Sequence, residues 1–496
     1  MRIRAVLSAV LAFTAVLASA RDASALQRLD MVPRGIAGVP SPVAAPVPGG
    51  MSLGVSLEEA VALGLRQNRT IRAAYLQRAV ERFDLHVAER AFVPVGNVAT
   101  EVVRRRDGNG DIDVEMSVSP SGRWRSPQGA SASFVWDRRE TIDGGTGGAR
   151  ENLSIQLRQP LLKGAGWDVN MAPVRIARLQ EDINRLRLKA TVSDTVTAVV
   201  FAYRSLIQAQ EQVRLAELSL ERTRALLATN RMLVEAGRMA AADIVQTESG
   251  VANQEVALLD TQRRRATAQV ALMRLLALDP RTNVVATDDV AAQRVDVDLE
   301  LAIDLALQAR ADILAQRKSI EQMRQASIVT RNSRLWDISI VGSLNRLGGD
   351  WGPGVLDGHT EHAIGLRLDI PIGDYSPRRA DLAATTSLRT AELYYEDLTA
   401  AAEAQIRDAV QTADSAWRQL EAARRARDLA EQALSLQQEK LRVGRASNFE
   451  VLSFQSDLRA ADIQELSARI AYLNTLTALD QQIGSTLETW RISLND

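Results

Sequence analysis

Two long stretches without proline constrain the fold of this chain more than any other feature. No proline occurs from 174 to 279 or from 378 to 496. In the first stretch, apolar residues recur at intervals of seven, at Val192, Val199, Leu206, Val213, Leu220, Leu227 and Val234. The second stretch repeats this spacing with one charged interruption, at Ile406, Ala413, Leu420, Arg427, Leu434 and Leu441. A seven-residue repeat of this length predicts long helices that pack as left-handed coiled coils.

The helix lengths predicted from these patterns suggest how each half is built. A helix from about 174 to 236 would be ~95 Å long, and helices over about 56–91 and 240–278 would be ~54 Å and ~58 Å long. Two shorter helices stacked end to end roughly match the long one. We therefore expect each half to place one long helix beside two shorter ones, in a rod about 100 Å tall.

An internal duplication divides the chain into two repeats. Leu57–Leu65 is similar to Leu299–Leu307, and both open amphipathic helices that end near Phe92 and Leu335. Four further pairs follow in the same order: strands that end at Pro160 and Pro371, Tyr203-Arg204 and Trp417-Arg418, turns at Gly237-Arg238 and Gly444-Arg445, and Asp243-Ile244 and Glu450-Val451. Two copies are too few for a solenoid. The order predicts a first repeat over 52–296, with strands in about 92–161, and a second over 297–496, with strands in about 335–371.

Alternating apolar and polar residues predict six strands between the helices, at 95–103, 112–118, 130–136, 153–160, 338–344 and 364–371. One apolar and one polar face is the pattern of an outer-membrane barrel. A soluble antiparallel sheet with one buried face shows the same pattern. Five of the seven tryptophans lie in or near these runs, and in a barrel they would form an interfacial belt: Trp124, Trp136, Trp167, Trp336 and Trp351.

The N-terminal residues predict export. Arg2 and Arg4 precede an apolar run, and small-residue cleavage patterns end at Ala20 and Ala25. This is the pattern of a secretory signal peptide over 1–25, with the cleavage site open between the two alanines. Residues 26–51 are rich in proline and glycine and predict an extended linker.

Composition excludes several classes of function. The 60 Lys and Arg residues balance 61 Asp and Glu, so the net charge of −1 provides no overall basic field for nucleic acid. The chain has no cysteine, which excludes thiolate metal sites and a cysteine nucleophile. His359 and His362 lie beside a Gly-rich turn, where their spacing need not bring them together, and Gly144–Gly148 lacks the lysine and helix of a phosphate loop. We predict no metal, no cofactor and no enzymatic activity.

These features together resemble the TolC-type outer membrane efflux protein family. The resemblance is carried by the two Leu-Glu-x-Ala helix openings, the strand ends at Gln159-Pro160-Leu161 and Pro371-Ile372, and the two Gly turns followed by an acidic–aliphatic pair. It covers about 52–490. The linker lies outside the pattern. The first half has four strand-like runs where the family has two, which suggests an extra hairpin on the extracellular side.

The resemblance implies a mixed α+β membrane protein that works as a homotrimer. Each chain would give four strands to a shared 12-stranded transmembrane β-barrel, and its helices would form a coiled-coil tunnel across the periplasm. The protein would be an exit duct in the outer membrane of a Gram-negative-type cell. It would conduct substrate passively, for an efflux pump or type I secretion system, with a periplasmic adaptor and an inner-membrane transporter as partners.

The resemblance also places functional residues at the periplasmic tip. The tip turns that would contact the adaptor are Gly237, Arg238 and Met239 in the first repeat and Gly444, Arg445 and Ala446 in the second. Asp243 and Glu450 match acidic positions just past the tip, where a trimer would place rings of carboxylates around the aperture. Glu450 has a second explanation, because Ser447 to Glu450 is itself a helix capping box. Both explanations stay open at this point.

The alternative function is a periplasmic or surface coiled-coil scaffold without a pore. A scaffold accounts for the heptads and the signal peptide, but it leaves the Trp-rich alternating strands without a purpose. Extraction of the protein from membranes distinguishes the two hypotheses. A scaffold should be released by salt, whereas a barrel should be released only by detergent.

Overall fold

A computed structural model describes residues 52–106, 108, 110, 112–143, 149–237, 240–279, 281–349, 359–443 and 445–494. The predicted signal peptide and linker, Gly144–Gly148, Arg238, Met239, Trp351 and Gly444 lie outside these residues. Contacts divide the chain into two units. One comprises 1–52 with 281–283, and the other comprises 53–280 with 284–496. The second unit contains all the long helices and the main sheet.

Eight helices of eight or more residues dominate the second unit in the described part of the chain. In the first half, α1 spans Leu57–Gln67, α2 Arg69–Glu89, α3 Trp167–Glu235 and α4 Ala242–Leu276. In the second half, α5 spans Leu299–Ala309, α6 Ala311–Ser333, α7 Ser376–Arg442 and α8 Asn448–Ile483, followed by a short α9 at Thr486–Thr489. With 69 and 67 residues, α3 and α7 are each about 100 Å long. No helix in the described ranges has a stretch apolar enough to cross a membrane.

The shorter helix that opens each half is interrupted, which differs from the single helices predicted to end near Phe92 and Leu335. Asn68, with ψ at 127°, leaves the helical conformation between α1 and α2, and its Oδ1 accepts the Thr70 N–H at 2.8 Å. Its Nδ2 donates to the Leu275 carbonyl at 2.8 Å. Arg310, with ψ at 123°, separates α5 from α6 in the same way. Helical periodicity continues across both breaks, so the apolar pattern alone does not reveal them.

Six strands form one antiparallel sheet. They are β2 (Val95–Arg106), β3 (Ile112–Arg125), β4 (Ser131–Asp143), β5 (Ala149–Pro160), β7 (Asp337–Gly349) and β8 (His359–Asp369), in the order β2-β3-β4-β5-β7-β8. Two short strands, β1 (Ser52–Val55) and β6 (Asn283–Ala286), pair in a separate sheet. All six predicted runs are strands. The main sheet of the chain thus has two strands more than the four that the resemblance implies for each chain, because the first half adds four strands to it.

The predicted heptad positions of α3 are buried from Val192 to Leu220. Val192, Val199, Leu206, Val213 and Leu220 are each at most 6 % exposed. Beyond Leu220 the buried positions move to Thr223, Leu226 and Asn230. The apolar seam therefore becomes partly polar toward the end of α3.

The largest apolar core surrounds the middle of α3, where Leu206 contacts the cluster that includes Leu272 and Leu276 of α4. Two buried tyrosines hold the segment that connects the two halves. The Tyr203 hydroxyl lies 2.8 Å from the Val55 carbonyl oxygen and 3.0 Å from the Asp288 carboxylate. The Tyr472 hydroxyl donates to the Gln293 carbonyl at 3.0 Å. Tyr203 and Tyr472 therefore fix the connection against α3 and α8.

Candidate functional site at the helical tip and the sheet

The turns predicted as the tip follow α3 and α7. Gly237 has φ at +69°, a conformation that side chains rarely adopt, and its N–H donates to the Val234 carbonyl at 2.9 Å. This is the expected geometry of a glycine that ends a helix. In the second turn, the Arg445 N–H donates to the Lys440 carbonyl at 2.8 Å, and Ala446 follows. Arg238, Met239 and Gly444 lie outside the described residues.

Glu450 caps α8 and remains exposed. Its Oε2 accepts the Ser447 N–H at 2.9 Å, while the Ser447 Oγ accepts the Glu450 N–H at 3.2 Å, which completes the capping box. The same Oε2 accepts Nε2 of Gln437 on α7, at 2.9 Å. The residue is nevertheless solvent-exposed. The capping explanation is therefore confirmed, and it leaves the carboxylate accessible to water.

Asp243 lies in the first turn of α4, whose N-cap residue, Ala241, provides no side-chain cap. The half-buried Asp243 carboxylate makes no hydrogen bond or ion pair with any residue that the structure describes. Its charge is favourable near a helix N-terminus. Unlike Glu450, Asp243 has no local side-chain partner among the residues that the structure describes.

Three buried polar side chains connect three helices behind the tip. Nδ2 of Asn230 on α3 donates to Thr247 Oγ1 at 2.8 Å and to Asn448 Oδ1 at 2.9 Å. Nδ2 of Asn448 donates to Thr247 Oγ1 at 2.8 Å. All three are at most 3 % exposed. We call Asn230, Thr247 and Asn448 the tip triad, which joins α3 to α4 in the first repeat and to α8 in the second.

The amino-acid sequence does not predict the tip triad as a set, although it carries one signal. Asn230 lies three residues after Leu227, which is one of the predicted heptad positions. This is the second apolar position of a heptad, where a polar residue is costly and specifies a particular pairing. Thr247 and Asn448 carry no comparable signal, because their burial depends on how the two repeats pack.

One face of the main sheet is apolar in the part nearer the helices and charged beyond it, where Arg138 pairs with Glu151, and the other face is largely polar. The register pairs Trp136 with Leu153, Ile155 with Leu344, and Ile340 with Leu366, so these residues share a face across four strands. The opposite face is formed largely by polar residues, including Ser119, Ser121, Asp137, Gln156, Ser343 and Asn345. The apolar face is not a buried core, because Leu157, Leu366 and Ile364 are 56 %, 68 % and 85 % exposed.

A second exposed apolar surface follows one side of α2. Leu76, Val80, Phe83 and Val87 recur at helical spacing and are each at least 55 % exposed. We call these four residues the α2 stripe. A helix of a stable protein normally covers such a stripe, so the stripe indicates a contact that the single chain does not supply.

The residues considered for metal binding do not form a site. Among the described residues, no group of three or more His, Asp and Glu side chains could hold a metal ion. His359 and His362 lie on β8, where both are exposed, and His359 Nε2 lies 3.3 Å from Glu361.

The fold and these surfaces together define a class of protein. Two repeats of long paired helices carry an open sheet that exposes a broad apolar face, which is the arrangement of a channel protein of the outer membrane. Comparison with known sequences identifies the family. The chain belongs to the outer membrane efflux protein family, whose sequence profile matches residues 62–278 and 302–485. No curated protein sequence matches the chain significantly.

Solved structures of outer membrane channels share the fold. The CmeC outer membrane channel of Campylobacter jejuni has a TM-score of 0.67 at 14 % identity, over 87 % of this chain and 86 % of that chain. The outer membrane protein VceC of Vibrio cholerae has a TM-score of 0.66 at 16 % identity, over 86 % and 96 %. The open state of the MtrE outer membrane channel of Neisseria gonorrhoeae has a TM-score of 0.63 at 16 % identity, over 86 % and 88 %.

Family membership confirms the predicted resemblance and the general function. The chain is an outer membrane channel of efflux, a duct through which substrate leaves the cell. Members of this family are transport channels without enzymatic activity, which agrees with the predicted absence of an active site.

Proposed function

We propose that three copies of this chain form one exit duct. Their sheets close a single barrel in the outer membrane, and their helices form a tunnel in the periplasm. The duct joins a periplasmic adaptor and an inner-membrane transporter in a tripartite export system, and the transporter supplies the energy. The exit duct is favoured over a coiled-coil scaffold because a scaffold has no use for an exposed apolar sheet.

The observation that carries this proposal is the open, two-faced sheet. Among the described strands, β2 and β8 each pair on one side only, so both edges of the sheet are free. Six strands are too few to close a barrel, since small closed barrels have about eight. Lipid does not tolerate unpaired strand edges. A sheet whose apolar face enters the membrane therefore requires strands from further copies of the chain.

The α2 stripe supports assembly below the sheet. Phe83 and Val87 lie in the last two turns of α2, which a short 3-10 turn at Arg90–Phe92 connects to β2 at the free edge. A neighbouring copy that pairs with β2 would lie close to this surface. We infer that the α2 stripe packs against the next copy and continues the contact that begins at the sheet.

The tip turns are the proposed contact with the adaptor. Gly237 and Arg445 are exposed at the ends of α3 and α7, so both turns are accessible to a partner. Arg238, Met239, Gly444 and Ala446 complete the proposed contact set. Exposed backbone at a helix C-terminus offers unpaired carbonyls to a partner's donors.

Asp243 and Glu450 are the proposed charges of the aperture. A trimer would place three copies of each around its axis, and rings of carboxylates favour cations in a narrow pore. Glu450 can cap α8 and contribute to the ring at once, because its capping contacts use one carboxylate oxygen and the residue stays exposed. Capping fixes the position of the charge.

Single-channel recording in a planar bilayer tests the proposal, and Glu450→Gln is the informative variant. Glutamine is also accepted at this position of a capping box, so the substitution removes the charge and keeps the cap. We expect stepwise conductance from the unmodified protein and a lower preference for cations in Glu450→Gln. Asp243→Asn tests the second ring in the same way.

Each contrary result has a defined meaning. Unchanged ion preference in both variants would be compatible with the exit duct but would show that Asp243 and Glu450 do not line its aperture. A folded protein that leaves membranes in salt and never conducts would support the scaffold.

We also propose that residues 1–25 are removed on export and that 26–51 form the linker ahead of the repeats at 52–296 and 297–496. Mass spectrometry of the mature N-terminus will show cleavage after Ala20 or after Ala25.

A further inference from the structure

We propose that the hairpin β3–β4 is part of the barrel wall, so that each chain contributes six strands and the shared barrel has 18. This inference rests on the proposed trimer, since three chains with six strands each give that number. A contribution of four strands per chain, as the resemblance implies, would give 12. The hairpin therefore sets the width of the exit and the size of the solutes that leave through it.

The pairing shows that the hairpin is inserted within the sheet. β2 pairs with β3 from Val95 opposite Arg123 to Arg106 opposite Ile112. β4 pairs with β5 from Ser131 opposite Arg158 to Glu140 opposite Ala149. A hairpin lying outside the wall would leave β2 paired with β5. Here β3 and β4 separate these two strands along their full length.

Along the added hairpin, apolar and polar side chains alternate so that they lie on the same faces of the sheet as in the other strands. Phe134 of β4 lies opposite Ile155, which lies opposite Leu344, so the apolar face continues from β7 through β4. The polar face also continues, because Ser133 lies opposite Gln156, which lies opposite Ser343. A hairpin exposed to water above the membrane would need no apolar face.

The turn between β3 and β4 is built into the base of the sheet. The Ala130 N–H donates to Ser126 Oγ at 3.0 Å, and Ser126 is only 6 % exposed. The Gly166 N–H, just before α3, donates to the Gln128 carbonyl at 3.1 Å. Gly129 has φ at +99°, and any side chain there would collide with the Gly164 carbonyl oxygen. The hairpin is therefore fixed where the sheet meets the helices.

Closure by three chains is geometrically consistent. β2 runs away from the helices and β8 runs back toward them, so β8 of one chain meets β2 of the next in antiparallel orientation. With strands ~4.8 Å apart and tilted by ~40°, a barrel of 18 strands has a backbone diameter of about 36 Å, and a barrel of 12 has about 24 Å. The exit would admit hydrophilic solutes that a 12-stranded barrel excludes, past a wall rich in serine and charged residues.

Thiol mapping tests whether β4 forms part of the wall. The chain has no cysteine, so each single variant carries one thiol. Ser133→Cys and Phe134→Cys report on the two faces of β4. Ser343→Cys and Leu344→Cys are matched controls in the same rows of β7, a strand that the four-strand arrangement also contains. The full-length variants are treated in intact outer membranes with a charged maleimide that does not enter lipid, after native gels confirm the oligomer.

We expect near-complete labelling of Ser133→Cys and Ser343→Cys, and loss of labelling at Phe134→Cys and Leu344→Cys. Labelling of both β4 variants, with alternation kept on β7, would place the hairpin in water and overturn the 18-stranded barrel while leaving the duct intact. Absence of alternation on β7 would overturn the barrel itself and the proposed function with it.

Polymer exclusion provides an independent measurement. Polyethylene glycols of increasing size are added to the exit side during single-channel recording, and the largest that lowers the current defines the width of the barrel mouth. We expect the cut-off diameter to be closer to the 18-stranded than to the 12-stranded estimate. A cut-off at the narrower value would contradict the proposal.

Discussion

At the scale of single residues, Asn230 determines how the tip interface is held. Nδ2 of Asn230 contacts both other members of the tip triad, while its Oδ1 is buried without a partner among the described residues. Hydrogen bonds of this kind contribute only ~0.5–1.5 kcal/mol each, because water can replace them. A polar interface is thus easier to open than an apolar one.

Asn230→Ala should weaken this interface and favour the open channel. The substitution removes the donor to Asn448 Oδ1 and leaves that buried oxygen unsatisfied, at a cost of about 1–3 kcal/mol. We expect a higher open probability in bilayer recordings and a lower midpoint of thermal unfolding.

Asn184→Ala is the matched control for that experiment. Asn184 lies on the same helix, is similarly buried at 7 % exposure, and accepts a hydrogen bond from Gln180 at 2.9 Å. It is far from the tip in sequence. The control should lose stability without any change in gating, and equal gating effects in both variants would refute a special role for the tip triad.

The shifted pKa values of Asp480 and Arg204 indicate that the stability of the protein depends on pH. Burial raises the pKa of Asp480 above its usual range, although Ser485 and Arg204 oppose the shift. Burial likewise lowers the pKa of Arg204 to about 10. In the folded state Asp480 holds its proton to a higher pH than in the unfolded state, so this carboxyl lowers stability as pH rises above its ordinary pKa of ~3.9.

Asp480→Asn should therefore unfold at a slightly higher temperature than the unmodified protein at pH 7. The difference should disappear below about pH 4, where the carboxyl is protonated in both states. Thermal unfolding followed by circular dichroism at both pH values checks this. A variant that is less stable at pH 7 would show that attraction to Arg204 outweighs burial.

At the scale of elements, short polar contacts decide where the helices and strands end. Asn68 begins α2 by capping it, and Asp298 begins α5 by accepting the Glu300 N–H at 3.0 Å. The turn at Ser126–Ala130 decides that β3 and β4 stay within the sheet. Asn68 also joins elements that are distant in the chain, since its Nδ2 donates to the Leu275 carbonyl.

Gly129→Ala should disrupt the junction of sheet and helices. A methyl group would collide with the Gly164 carbonyl oxygen, which is rigid backbone, and would also strain the positive φ. Gly164→Ala is the control, since Gly164 also has a positive φ, at +81°, but open space around it. The control should cost only about 1–2 kcal/mol, whereas Gly129→Ala should cost more. The temperature at which the oligomer dissociates on gels measures both. Equal effects would show that the turn does not pack as described.

At the scale of the whole molecule, the single chain is incomplete. The free sheet edges, the exposed apolar face and the α2 stripe all lack a partner within the described chain. Phe83→Glu places a charge in the middle of the α2 stripe. We expect this variant to fold but to shift from trimer to monomer in detergent, as measured by light scattering.

Asp84→Lys is the control for that variant, because the neighbouring Asp84 is exposed and lies outside the stripe. A trimer that tolerates Phe83→Glu as well as it tolerates the control would exclude the α2 stripe from the subunit contact.

The long helices and the strands are predictable from the amino-acid sequence, because periodicity and proline placement are local properties. Val192, Val199 and Leu206 revealed α3 by spacing alone. The cap at Glu450 is predictable because its partner, Ser447, lies three residues away.

The folded structure shows how distant segments meet. It placed Asn230 against Thr247 and Asn448, broke the opening helices at Asn68 and Arg310, and inserted β3 and β4 between β2 and β5. An alternating strand has the same pattern in any position of a sheet, and a polar residue on a helix gives no sign of which neighbour will bury it. These outcomes depend on packing between segments up to about two hundred residues apart, which a local pattern cannot encode.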